Sequence, residues 1–125
     1  MITHILLVAL GGAIGALCRY GLSAAAIRFL GVGFPAGTLA ANLLGCFLIG
    51  IALALIEHHN LLDLAHRLFF LTGFLGALTT FSTFALESVM LARSGAWLEA
   101  TSNLVINNTV GIALVLAGVW IGRRL

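Results

Sequence analysis

The sequence predicts an all-α integral membrane protein with four spans, and three observations carry that reading. Of 125 residues, 62% are hydrophobic and only 8% are charged. A soluble domain carries about 25% charged residues, so this polar inventory cannot cover a water-facing surface. Four windows reach the roughly 20 mostly apolar residues that a bilayer-crossing helix needs: about residues 5–27, 35–56, 68–91 and 98–121. The connections between them are short, and no stretch alternates like a strand of a membrane barrel. The whole chain, 1–125, reads as a single transmembrane domain.

The first window lacks a basic start and is followed by three more, so it reads as a span and not as a removable leader. Gly11 and Gly15 form a small-xxx-small pair, and Gly12 with Ala16 repeats it. Such spacing favours close backbone approach between helices in lipid. The second window opens at Pro35, which suits a first helical turn because its missing N–H costs nothing there. Ala41 and Gly45 repeat the small-residue spacing. The third window contains Gly73 and Gly76, then the β-branched pair Thr79 and Thr80, and a local helix break is expected there. Irregular backbone at membrane depth is tolerated where it is buried in protein or lines water. Tyr20, Trp97 and Trp120 lie near window ends, as an aromatic belt requires. Cys18 and Cys46 read as small buried hydrophobes.

Four spans put both termini on one side. Arg67, Arg123 and Arg124 share that side; Arg28 and Arg93 face the other, toward which Arg19 should snorkel. Three against three leaves the positive-inside rule without a bias. The chain is therefore expected to insert both ways and to pair with an opposed copy of itself. Dimerisation would also create the interior that four short helices lack.

Polar groups at bilayer depth are costly and usually line an interior or a pathway. Asn42 offers two donors and one acceptor, either for a helix–helix bond or for a partly dehydrated anion. Phe81 and Phe84 share one helix face, and ring edges carry the positive side of the aromatic quadrupole. Thr80, Ser82 and Thr83 add hydroxyls that can replace lost water. Asn103 and Asn107 are four apart on one helix face and extend the polar track or bond neighbouring helices. A broken third helix leaves carbonyls free to hold a small cation such as Na⁺. Glu87 and Arg19 read as a structural pair or as vestibule residues.

Glu57, His58, His59, Asp63 and His66 form a solvated connection, although the His59–Asp63 spacing makes a metal conceivable. No Ser-His-Asp set, phosphate loop or zinc motif is present, so no enzyme is expected. A net charge of +2, from six arginines and no lysine, is too small for nucleic-acid binding.

Residues 11–20 (GGAIGALCRY), 37–45 (GTLAANLLG) and 73–84 (GFLGALTTFSTF) resemble the signature segments of the Fluc/CrcB family of fluoride channels. The resemblance runs along nearly the whole chain, and its third segment is the most specific. It implies an antiparallel, dual-topology homodimer in the bacterial inner membrane, passively exporting toxic fluoride. By that resemblance Asn42, Phe81 and Phe84 line the pore, and Ser82 and Thr83 belong to its polar track. It also implies that carbonyls of Gly76 and Thr79 from both subunits cage a structural Na⁺ that is not transported. This chain carries Asn103 and Asn107 where relatives often carry Tyr and Ser, and Ala77 where a second glycine is usual.

The competing reading is a proton-coupled small multidrug-type transporter, also four short spans. That class needs a membrane carboxylate, for which Glu87 is the third window's candidate. It would also want more aromatic stacking surface than this chain has.

Overall fold

The computed structural model describes residues 1–58 and 61–125; His59, whose spacing to Asp63 made a metal conceivable, lies outside the described residues. The described residues form helices and connections, with no strand among them. Four helical stretches are long and apolar enough to cross a membrane. The first is α1 (Ile2–Leu30) and the second is α2 (Ala36–Glu57). The third, Leu64–Arg93, is composite: α3 (Leu64–His66), a π-helical stretch (Arg67–Leu75), α4 (Gly76–Leu78) and α5 (Phe81–Arg93). The fourth is α6 (Trp97–Gly122). The expected windows fall within these spans, apart from Pro35, which precedes Ala36 at φ −76° instead of entering the first turn. Because α1 continues to Leu30, Tyr20 sits inside the span and not at its end. Cys18 is exposed, contrary to expectation, and both thiols are free.

Two close packings build the bundle. α1 runs along the π-helical stretch, and α2 runs along α6. A side chain at Gly15 would collide with the Phe74 carbonyl, and one at Gly50 with the Val115 carbonyl. The Gly11/Gly15 pair therefore works inside one copy of the chain. In lipid, such backbone approach replaces the hydrophobic drive that water would supply. The central cluster is Ala41, Leu75 and Leu78, with Leu22, Leu48, Phe70, Leu71 and Phe74 against it.

The third span begins outside the apolar zone with a side-chain cap. Asp63 Oδ1 accepts the His66 N–H at 3.0 Å and meets His66 Nδ1 at 2.7 Å. The backbone N–H of His66 holds the Asp63 carboxyl below its ordinary range, with the imidazole bond adding to it. Beyond it the turn widens into the π-helix, whose i→i+5 bonds are rare and cluster at functional regions. At Thr79 (φ −81°, ψ 156°) and Thr80 (φ −154°, ψ 119°) the chain becomes extended. The expected break is therefore present, at the two threonines.

Candidate functional site: the break in the third span

The break interrupts a helix at membrane depth, so its backbone groups need other partners. Asn42 on α2 supplies them. Its Oδ1 accepts the Thr80 N–H at 2.8 Å, and its Nδ2 donates to the Thr80 carbonyl at 3.2 Å. Thr80 then caps α5: its Oγ1 accepts the Thr83 N–H at 3.3 Å and donates to Thr83 Oγ1 at 3.1 Å.

Those two caps divert donors. In an unbroken α-helix the Thr80 N–H would close on the Gly76 carbonyl, and the Thr83 N–H on the Thr79 carbonyl. Here the first goes to Asn42 and the second to Thr80 Oγ1. The carbonyls of Gly76 and Thr79 are thus deprived of their helical partners by side chains. Thr79 bonds backward, with both its N–H and its hydroxyl donating to the Leu75 carbonyl.

A cavity of about 410 Å³ opens beside the break, between α2, the third span and α6. Asn42, Gly76, Thr79, Thr80, Phe81, Phe84 and Asn107 line it, with Cys46 and Asn108. No arginine or carboxylate is among the lining residues. Phe81 is 79% exposed and Phe84 only 5%. Their rings lie 5.6 Å apart at 60°, an edge-to-face-like tilt. Ser82 and Thr83 are exposed and stand outside the cavity lining. Asn103 is fully buried and lines neither this cavity nor the one below.

Asn42 is not an idle donor. Its Nδ2 also donates to Asn107 Oδ1 at 3.0 Å, which engages both amide hydrogens. Asn107 Nδ2 donates to Asn103 Oδ1 at 2.9 Å and to the Asn103 carbonyl at 3.0 Å. Asn103 Nδ2 donates to Ser88 Oγ at 2.9 Å, and Ser88 donates to the Phe84 carbonyl at 2.8 Å. The i, i+4 spacing identified Asn103 and Asn107 as neighbours. Ser88 carried no comparable signal, since an isolated serine in a helix reads as a local back-bond to the carbonyl four residues earlier.

A second cavity, about 400 Å³, lies at the bundle end where α1 finishes, α2 starts and α5 approaches its last turns. Thr38 donates to Glu87 Oε1 at 2.8 Å, and both residues line it. Glu87 Oε2 is buried without a hydrogen-bond partner among the described residues. Arg19 is half-buried, and no ion pair joins it to Glu87 among the described residues.

Known proteins are similar to this chain along most of its length. The family model described as "CrcB-like protein, Camphor Resistance (CrcB)" matches residues 6–119. A protein of Aeromonas salmonicida named "Fluoride-specific ion channel FluC" is 48% identical over 113 residues, 90% of each chain. One of the same name from Salinibacter ruber is 47% identical over 114 residues, 91% of this chain and 85% of that one. Another, from Chloroflexus aurantiacus, is 46% identical over 120 residues, 96% and 95% of the two chains. With four membrane-crossing helices and a family match along nearly its whole length, this chain is a multi-pass membrane protein of the CrcB-like family.

Proposed function

We propose that the protein is a fluoride-selective channel of the bacterial inner membrane, working as an antiparallel homodimer and letting fluoride leave down its gradient. The carrying observation is the cavity at the helix break, walled by amides, hydroxyls and phenyl rings without a charged side chain. Its relatives' name as fluoride-specific channels supports the choice of ion.

Fluoride holds its water tightly, so a selective passage must replace that shell while binding weakly enough for exit. A buried arginine would trap the ion; hydroxyls and ring edges do not. With Asn42 engaged by Thr80 and Asn107, the donors left for an ion are the Asn108 amide hydrogen not given to the Leu104 carbonyl and, outside the cavity lining, hydroxyls. The Thr83 hydroxyl accepts from Thr80, and its own hydrogen has no acceptor among the described residues. An ion can bond Asn42 only by displacing one of its present partners.

Two features support the dimer. Ser82 and Thr83 are exposed, as is Gly76, near the middle of a 30-residue span. Lipid offers them no hydrogen bonds, and a second copy can cover them. The carbonyls of Gly76 and Thr79, freed by the diverted donors, suit a hard cation that prefers oxygen ligands. In an antiparallel pair the same two carbonyls from each copy would hold Na⁺, which supplies a fixed positive charge joining the subunits and is not transported.

Proteoliposomes loaded with fluoride test the reading. Rapid efflux without a pH gradient, measured by a fluoride electrode, is expected, with chloride retained. Strict dependence on a proton gradient would favour a proton-coupled transporter instead, and vesicles that keep their fluoride would end the channel reading.

A further inference from the structure

Ser88 and Asn103 are deeply buried, at 5% and 0% exposure, and neither lines either of the two cavities described above. Their bonds nevertheless reach the break. From Thr80 the donors run N–H to Asn42, Asn42 to Asn107, Asn107 to Asn103, Asn103 to Ser88, and Ser88 to the Phe84 carbonyl. A backbone N–H can only donate and a backbone carbonyl can only accept. With an N–H at one end and a carbonyl at the other, every amide between them has one consistent orientation. The relay starts on the residue that caps α5, crosses α2 and α6, and returns to α5 one turn later. It encloses the turn that carries Phe81, Ser82, Thr83 and Phe84.

Rotating any one amide would oppose two donors or two acceptors, and an unpaired polar group in this interior is expensive. Asn42 therefore cannot turn while Asn103 and Ser88 hold Asn107. We propose that Ser88 and Asn103 are positioning residues for ion conduction, holding the Asn42 amide in the one orientation that clamps the Thr80 peptide and spaces the two phenylalanines. The inference rests on the fluoride-channel reading for its link to flux, but not for its link to Asn42.

Ser88→Ala removes the last two bonds, from Asn103 and to the Phe84 carbonyl, without touching either of the two cavities described. In the full-length protein in liposomes, we expect fluoride efflux to fall about tenfold, as for the loss of one buried hydrogen bond's partner. The side-chain amide resonance of Asn42, read by solid-state NMR with ¹⁵N labelling, should shift in the same sample. Ser88→Thr restores the hydroxyl and should bring both readouts back toward wild type. Asn103→Leu, of similar size, is the second variant and should move the Asn42 resonance as Ser88→Ala does. An Asn42 resonance unmoved by either variant overturns the inference whatever happens to flux. A moved resonance with wild-type flux overturns the role in conduction. A wild-type protein that passes no fluoride, yet whose Asn42 resonance responds to Ser88→Ala, refutes the channel reading and leaves the relay standing.

Discussion

Phe81 and Phe84 stand one turn apart on α5, yet their surroundings differ: one ring is largely exposed on the outside of the chain and the other is packed in. Both line the cavity at the break. Replacing either with isoleucine keeps apolar bulk and removes the ring edge, which isolates the quadrupole from packing. Phe81→Ile and Phe84→Ile are each expected to lower fluoride efflux at least about tenfold, the scale of one lost ion contact of ~1.4 kcal/mol. Because Phe81 is exposed, Phe81→Ile should leave the stability of the folded chain near wild type, while Phe84→Ile should cost some. Efflux from vesicles together with thermal unfolding in detergent checks both halves. Normal efflux in both variants would remove the rings from the mechanism. The residue types at this site were legible in the chain, because hydroxyls, amides and phenylalanines in a lipid-embedded stretch stand out by cost. Their engagements were not. That Asn42 spends its oxygen on Thr80 and its hydrogens on Thr80 and Asn107 depends on how α2, α5 and α6 pack. No spacing along one helix encodes that.

At the scale of elements, the four windows were readable because uninterrupted hydrophobicity is a cumulative signal over some twenty residues. The break was readable for a local reason: Gly73 and Gly76 lower helix propensity and the paired threonines follow. The π-helical stretch over Arg67–Leu75 was not, since nothing in its residue pattern distinguishes an i→i+5 bond from an i→i+4 bond. Asp63 gives this span a pH-sensitive start. Its carboxyl titrates lower in the folded protein than in the unfolded chain, because the anion accepts the His66 N–H. A lowered carboxyl stabilises the fold above its unfolded pKa, and that contribution fades as pH falls through the lower folded value. Asp63→Ala should therefore weaken the wild type at neutral pH and lose its effect in acid. Thermal unfolding of the pair across pH 7 down to pH 2 measures it. A difference independent of pH would assign the loss to something other than the charged cap.

For the whole molecule, the arginine placement bears on how the chain enters the membrane. Arg67, Arg123 and Arg124 lie toward one end, Arg28 and Arg93 toward the other, with Arg19 half-buried within α1. Nothing in that distribution favours an orientation. C-terminal reporters active on only one side should each give signal, and adding two lysines after Leu125 should abolish one of them. Signal from a single compartment in the unmodified protein would defeat the antiparallel pairing. The spans and their sequence of helices were legible at this scale as well. Which helix lies beside which was not, since every span is apolar on most faces and the glycine contacts of α2 with α6 emerge only from their mutual approach.

The hydrogen-bonded circuit through Asn107 also bears on biogenesis. The ribosome makes the third span before α6, yet α6 supplies two members of that circuit. A nascent chain that has reached Gly95 can bond Asn42 to the Thr80 peptide, but it cannot lock Asn42 in place or satisfy Ser88 from outside its own helix. The third span is thus synthesised third and completed last. Chains truncated after Gly95 should exchange the amide hydrogens of residues 79–84 faster than the full chain in the same bilayer, and equal protection would show that the span matures by itself.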